Sequence, residues 1–434
     1  MTPYANHSEG LSVFLWSHRV RLISALALLI SLSGCGLSTP SAAAIPFRSP
    51  GVSSRPASSG APSTPTLILE PGAGVTPWVT LIGHARTGID LNAYLIDNPA
   101  ILTALRHAGQ RGVPIHVMLA PNPYDDAAAV PHERQALAAI PDCTVRHAPP
   151  RFDQAYAFDH AKYLVVNPGT PHVTAIIGSL NFTDSAFDGT NLEAAVEVTG
   201  ALAQAAMQVF QADWTDQTAG TGPRQTLVLS PGATATWVHL LQSAGPLDMT
   251  TEEIGDDPAV LAAMAAQGSN LHLLCPAPAS AAAQARLATL AQAGVQIRTL
   301  TTPYVHAKTI ITASQAFLGS QNLSSVSLQD NREMGVLVSG PDRTVLAAWF
   351  AHWWQQATPW TASGASPRTT TPISPSSARP WLPQGASEAT VRHLWGSPSR
   401  TYPTTYHGQV QIAWVYPTAT MYFVGSRLVA VVDH

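Results

Sequence analysis

The chain repeats itself, and that constrains its fold more than any other feature. Leu67-Ile68-Leu69-Glu70-Pro71-Gly72 returns 160 residues later as Leu227-Val228-Leu229-Ser230-Pro231-Gly232. Asn98-Pro99-Ala100-Ile101-Leu102 returns as Asp257-Pro258-Ala259-Val260-Leu261, and the apolar run Ile115 to Pro121 as Asn270 to Pro276. His160, Gly178-Ser179 and Glu193 match His306, Gly319-Ser320 and Glu333, while Phe210 and Trp214 match Phe350 and Trp354. A unit recurring at this length within one chain is a duplicated domain. Residues 66–220 are read as the first copy and 221–357 as the second.

Each copy alternates strand and helix patterns. Residues 66–70 and 89–95 predict strands, and Val75 to His84 a helix. Asn98 caps a second helix that opens on Pro99 and is expected to stop at Gly109. Val113 to Ala120 has the continuous apolar character of a strand buried on both faces. The alternation predicts an α/β class protein, with two tandem α/β sandwich repeats facing each other across a pseudo-two-fold axis. Residues 358–380 turn to Thr, Ser and Pro and read as a linker. Residues 381–434 read as a small α+β module. Ser387 caps its short helix, and its strands are expected at 409–416, 420–424 and 427–432, the last two joined by Gly425-Ser426.

Residues 1–35 read as a lipoprotein signal peptide. His18-Arg19-Val20-Arg21 precedes the apolar stretch Leu22 to Leu32, and Leu32-Ser33-Gly34-Cys35 has the form of a bacterial lipobox. Cys35 is then the lipidated residue, residues 36–65 a disordered Ser/Pro/Ala tether, and the expected location an extracytoplasmic, membrane-anchored one. Cys143 and Cys275 are left as a disulfide or as two buried thiols.

Basic residues sharpen the picture. Of 22, only Lys162 and Lys308 are lysines, and each stands two positions after a histidine. An ammonium is a compact point charge and a guanidinium a planar fork, so a tight phosphate site distinguishes them. The net charge is −4 and no basic run occurs, which argues against a protein that tracks nucleic acid.

His160-x-Lys162 with Gly178-Ser179-Leu180-Asn181, and His306-x-Lys308 with Gly319-Ser320-Gln321-Asn322, resemble the paired signatures of the phospholipase D superfamily. The likeness continues through Asn191-x-Glu193 and Asn331-Arg332-Glu333. It covers both repeats, and two motifs in the same order make a far more specific signal than one. The resemblance implies a phosphodiesterase acting on phospholipids by hydrolysis or headgroup exchange. Lys162 and Lys308 would face the phosphoryl oxygens, with Ser179, Asn181, Ser320 and Asn322 as neutral donors. His160 would attack phosphorus and carry the covalent phosphoryl, His306 would move protons, and Glu193 and Glu333 would hold the imidazoles. The motifs alone allow the two histidines to be exchanged. The scheme requires no metal or cofactor, and the chain contains neither Cys-x-x-Cys nor His-Glu-x-x-His. The expected partners are a phospholipid substrate and the membrane, for a monomeric chain. A nuclease of the same superfamily and a non-catalytic envelope lipoprotein are the alternatives.

One departure stands out. The family carries an aspartate five residues after the lysine, where this chain has Asn167 and Ala313. Phe158 and Tyr304, two residues before each histidine, read either as strand-core aromatics or as a substrate mouth. The extra loop Arg151 to Tyr156 reads as a lid or an ordinary surface loop.

Overall fold

The computed structural model describes residues 66–434 except 124–127, 155, 362–387, 389–390, 393–396, 407–408, 417–418, 426 and 434. The leader, the lipobox at Cys35, the tether, most of the linker and the Ser387 cap lie outside the described residues. Among the described residues no helix is long and apolar enough to cross a membrane.

The first repeat contributes strands β1 (Thr66–Glu70), β2 (Ile89–Ala93), β3 (Ile115–Leu119), β4 (Cys143–His147), β5 (Lys162–Val166), β6 (Thr174–Gly178) and β7 (Asn191–Thr199). The second contributes β8 (Val228–Ser230), β9 (Leu247–Thr250), β10 (Leu271–Cys275), β11 (Gln296–Thr299), β12 (Tyr304–Val305), β13 (Lys308–Ile311), β14 (Gln315–Gly319) and β15 (Glu333–Ser339). The first sheet runs β1-β7-β6-β5-β2-β3-β4 and the second β8-β15-β14-β13-β9-β10-β11, the same order twice. Both are mixed: β2, β3 and β4 pair in parallel, as do β9, β10 and β11, and the other pairs along these two orders are antiparallel.

Helices cover the sheets. α1 (Thr76–Gly83), α2 (Pro99–Gln110) and α3 (Val130–Ala138) belong to the first repeat, which closes with α4 (Gly200–Trp214). α5 (Thr234–Leu241), α6 (Pro258–Gln267), α7 (Ala281–Gln292) and α8 (Ser325–Gln329) belong to the second, which closes with α9 (Gly340–Gln356). The caps match across the repeat: Asn98 Oδ1 accepts from the amides of Ala100 and Ile101, and Asp257 Oδ1 from those of Ala259 and Val260. Gly109 does not end α2, which continues to Gln110. A Cβ on Gly109 would stand 2.0 Å from the Pro141 carbonyl oxygen, so the glycine serves a close backbone approach, and the chain turns at Gly112 with φ +77°.

Strand alternation explains why both sheet faces are apolar. On β5, Leu164 and Val166 enter the core under the outer helices, whereas Tyr163 and Val165 join a second core that also holds Leu318, Val336, Trp349 and Phe350 of the other repeat. That shared core seals the halves together. Truncating a buried ring such as Phe350 to alanine would cost about 3–5 kcal/mol.

The C-terminal residues form an antiparallel sheet of four strands, β16 (Arg400–Tyr406), β17 (Gln409–Tyr416), β18 (Ala419–Val424) and β19 (Arg427–Asp433). The expectation of three strands missed β16. Its sequence, Arg-Thr-Tyr-Pro-Thr-Thr-Tyr, carries a proline that an edge strand tolerates and an interior one does not. Cys143 and Cys275 are free thiols in different sheets, which settles the disulfide question.

Candidate active site

The two His-x-Lys motifs meet because strands cross between the repeats. β12 pairs in parallel with β7, Tyr304 opposite Asn191 and Val305 opposite Leu192. The amides of His306 and Ala307 then both donate to the Leu192 carbonyl. The mirrored contact joins Asp159 to Arg332: His160 N donates to the Arg332 carbonyl, and Arg332 N to that of Phe158. Each histidine is therefore pinned by backbone beside the glutamate strand of the opposite repeat.

The side chains follow the backbone. His160 Nδ1 lies 3.0 Å from each carboxylate oxygen of Glu333, and His306 Nδ1 lies 2.7 Å from Glu193 Oε1. Both histidine side chains retain only about a tenth of their surface, and neither glutamate side chain retains any. With Nδ1 turned to a carboxylate, Nε2 is the nitrogen presented for chemistry. Lys162 Nζ and Lys308 Nζ each donate to the backbone carbonyl of their own motif histidine at 2.6 Å, so both ammonium groups are fixed beside the imidazoles.

Asn191 and Asn331 reinforce this frame, each donating its amide to the neighbouring glutamate at 3.3 Å. The motif serines do the same, which corrects the expectation that they face substrate. Ser179 Oγ donates to Glu193 and accepts from Ala194 N, and Ser320 Oγ accepts from Met334 N beside Glu333. Both serines are fully buried, because their strand ends lie against the glutamate strands rather than the opening. Ser327 Oγ donates to Glu333 Oε1 as well, and the sequence did not single it out. Asn181 and Asn322 have buried Oδ1 atoms without hydrogen-bond partners, and they remain the neutral groups nearest the expected role.

Burial sets the charge state of His160. Burial, with help from Lys162 and Lys308, pushes the His160 imidazole down to about 4 against the pull of Glu333, so it is neutral at physiological pH. Burial also pushes the Lys162 ammonium down to about 7, opposed chiefly by Glu333. Burial disfavours the charge on Glu193 and Glu333. The facing histidine and lysine outweigh it, and both carboxyls sit below their ordinary range.

The position two residues beyond the paired strand site breaks the symmetry. Asn92 lies opposite Tyr163 and Thr250 opposite Thr309, so Tyr94 and Glu252 are equivalent. Tyr94 sets its ring 4.6 Å from the His160 ring and under Lys162 Nζ at 4.5 Å. Glu252 instead places Oε2 2.8 Å from Lys308 Nζ and 3.4 Å from His306 Nε2. Reading the repeat from its helix caps hides the match, because Tyr94 precedes its cap by four residues and Glu252 by five. Phe158 and Tyr304 lie beside His160 and Glu252 rather than buried in a strand core. Phe158 meets the His160 ring edge-on at 6.0 Å, and Tyr304 is 41% exposed.

Two further positions are placed. The loop from Arg151 is anchored at its start: Arg151 pairs with Asp213 and Asp216, and buried Phe152 lies under the Arg332 guanidinium at 4.5 Å. Arg332 in turn forks onto Asp213, tying the repeats together at 2.7 and 3.0 Å. Asn167 sits in a turn at φ +55°, its Oδ1 accepting from the amides of Arg86 and Thr87. In the second repeat Thr312 Oγ1 caps a tighter turn, accepting from Ser314 and Gln315, and Ala313 needs no polar group. The replaced aspartate position is a turn brace.

No curated protein matches the chain by sequence. Among solved structures, a polyphosphate kinase from Porphyromonas gingivalis aligns with TM-score 0.51 and 13% identity over 67% of this chain and 47% of its own. The chain thus spans about half the length of that kinase. A phosphatidylserine synthase from Haemophilus influenzae Rd KW20 aligns with TM-score 0.50 and 12% identity, over 66% of this chain and 85% of its own. Residues 78–214 and 245–354 match the family described as cardiolipin synthase, PLD-like domain, which takes in both repeats and both crossed His–Glu pairs: the chain belongs to the phospholipase D-like family.

Proposed function

We propose that the chain is a phosphodiesterase or phosphatidyltransferase that acts on phospholipids through a covalent phosphohistidine. The observation that carries this reading is the single buried cluster in which each histidine is held by the other repeat's glutamate beside a lysine. The neutral His160 donates its Nε2 lone pair to phosphorus, and the phosphorus–oxygen ester bond breaks. The departing alkoxide takes its proton from the His306 imidazolium. Neutral His306 then accepts a proton from water or an acceptor alcohol, whose oxygen attacks phosphorus and breaks the phosphorus–nitrogen bond. Lys162 and Lys308 oppose the charge that builds on the phosphoryl oxygens.

The division of labour follows from Glu252. A carboxylate 3.4 Å from His306 Nε2 stands in the way of phosphorus but suits an imidazolium. Only Glu333 is ion-paired to His160 among the described residues, and it lies on Nδ1. The net charge of −4 and the phosphatidylserine synthase likeness support a lipid substrate over nucleic acid. A lipidated Cys35 would hold the enzyme at its substrate, and mass spectrometry of the membrane fraction checks that residue.

The deciding experiment incubates the purified full chain with mixed phospholipids and, separately, with plasmid DNA. Release or exchange of a lipid headgroup is expected. Cleavage of DNA alone would move the activity to the nucleases, and inertness toward both would remove the reading.

A further inference from the structure

Two arginines converge at the end of the first sheet that lies away from the catalytic cluster. β2 runs from Ile89 to Ala93 and leads to Tyr94 beside His160, whereas Arg86 stands before its first residue. Arg111 stands at the same end, because Ile115, which opens β3, pairs with Ile89. Arg86 Nη1 donates to the carbonyls of Gly83 and Ala85 at 3.1 and 2.9 Å. Arg111 Nη2 donates to the same two carbonyls and to that of Ile82, at 3.4 to 3.5 Å. The shared acceptors make the two guanidinium groups neighbours. With Gly83, Ala85 and Val113 they line an open depression of about 370 Å³. Among the described residues neither is paired with a carboxylate.

The second repeat shows how much of this the fold requires. An arginine near a helix end ordinarily hydrogen-bonds the last carbonyls, which is a structural role. Gln267 stands four residues before Leu271 of β10, as Arg111 stands four before Ile115 of β3. Leu241 follows Trp237 by four residues, as Ile82 follows Trp78. Gln267 Nε2 donates to the Leu241 carbonyl, the contact that Arg111 makes to Ile82. A neutral amide therefore does the capping there. The loop after α5, residues 242–246, carries no charged side chain where the first repeat has Arg86. Two positive charges exceed what the helix end needs, since its aligned carbonyls offset only about half of one. Both arginines are exposed, and each makes its printed bonds through a single terminal nitrogen. The rest of each planar fork faces outward with donors to spare, the arrangement that recognises phosphate oxygens in pairs.

We propose that Arg86 and Arg111 form a second anion site, which takes a phosphate group at the end of the sheet away from His160 and His306. Neither arginine touches the reacting groups, so occupancy here holds the protein in place and leaves the chemistry unchanged. The segment that carries Cys35 joins the fold at this same end, where Thr66 lies opposite Glu197, while Glu70 lies opposite Glu193 at the catalytic end. A lipid on Cys35 would bring the arginine pair to anionic headgroups. A phospholipid headgroup and a free phosphate share the chemistry that the two forks recognise. The site stands independently of the phosphodiesterase reading.

The test reads the two arginines directly. Phenylglyoxal modifies accessible guanidinium groups, and peptide mapping by mass spectrometry resolves each arginine of the full chain. Saturating inorganic phosphate, compared with chloride at the same ionic strength, should slow modification of Arg86 and Arg111 by about tenfold. The exposed Arg134 should react unchanged. Phosphatidylglycerol vesicles should protect the same pair, and phosphatidylcholine vesicles should not. Protection by phosphate alone would make the ligand a soluble one, and protection by phosphatidylglycerol alone a membrane headgroup; either supports the site. Equal modification under all four conditions would overturn it. Arg86→Gln with Arg111→Gln installs the neutral cap of the second repeat. It should remove one bound phosphate per chain in equilibrium dialysis, or lower binding to phosphatidylglycerol vesicles by about tenfold. Its melting temperature should stay within about 2 °C and its kcat within about twofold of the wild type. A lower melting temperature with phosphate count and vesicle binding both unchanged would make the pair a helix cap and overturn the anion site.

Discussion

His160 Nδ1 lies 3.0 Å from both carboxylate oxygens of Glu333, a residue 173 positions away in the other repeat. Glu193 returns the contact to His306 at 2.7 Å. Neither repeat is a complete site by itself, since each supplies the histidine and lysine of one catalytic group and the carboxylate of the other. The cross-repeat pairing of β12 with β7, and of Asp159 with Arg332, makes this exchange a consequence of the backbone rather than of side-chain reach.

The first prediction follows from that exchange. Glu333→Gln keeps the shape of the side chain but can offer Nδ1 a donor where an acceptor is needed. Turnover should fall by roughly 10²- to 10⁴-fold, as expected when a catalytic histidine loses its orienting carboxylate. Near-UV circular dichroism should remain unchanged. A loss below about tenfold would show that the pair does not set the tautomer.

The second concerns pH. His160, held down at about 4, is neutral above that value and loses its nucleophilic lone pair only as pH falls through it. Lys162, held down at about 7, loses its positive charge as pH rises through that value. For the free enzyme, kcat/KM should therefore decline on the acid side near 4 and on the alkaline side from about 7. Lys162→Arg should cost orders of magnitude in rate, because the fork does not fit a point-charge site. It should also shift the alkaline limb upward, since a guanidinium does not titrate there. An unmoved limb in that variant would assign it to another group.

Much of this was legible in the sequence because it is written in short strings. The duplication, the two His-x-Lys motifs, the glutamates and the Asn98 and Asp257 caps are local patterns. What was not legible depends on register and on a one-residue difference in spacing. Tyr94 and Glu252 become equivalent only once Asn92 is seen opposite Tyr163 and Thr250 opposite Thr309. The extra residue in the second copy is accommodated where Gly255 meets the Leu323 carbonyl, a contact no Cβ would allow. Ser179 and Ser320 looked like phosphate donors because motif membership says nothing of which way a hydroxyl points. Arg332, hidden inside Asn331-Arg332-Glu333, proved to be the bidentate tie to Asp213.

Asn167 supplies the third prediction. Its side chain braces the loop before β2 through Arg86 N and Thr87 N, at a positive φ that asparagine tolerates better than most residues. Asn167→Ala should lower stability by about 1–2 kcal/mol. The values of kcat and KM should stay within about twofold, as for a surface brace outside the site. A large loss of kcat with unchanged urea midpoint would instead connect this turn to the chemistry of His160.

The last prediction tests the division of labour between the histidines. If His160 carries the phosphoryl group and His306 moves protons, substituting either abolishes turnover, but at different steps. His306→Ala retains the nucleophile and both lysines, so it should still accept the phosphoryl group slowly. The effect should be clearest with a substrate whose leaving group needs no proton, such as a nitrophenyl diester. It should then stall, because nothing remains to deprotonate the attacking water. His160→Ala should form no adduct from any substrate. Both outcomes should hold in chelator, since Lys162 and Lys308 supply the positive charge that the scheme uses. The phosphorus–nitrogen bond is acid-labile, so trapping requires alkaline denaturant and a labelled substrate, followed by peptide mapping to residue 160. A trapped adduct in His160→Ala would exchange the two roles and place Glu252 beside the nucleophile. Turnover surviving in both variants would remove the covalent mechanism altogether.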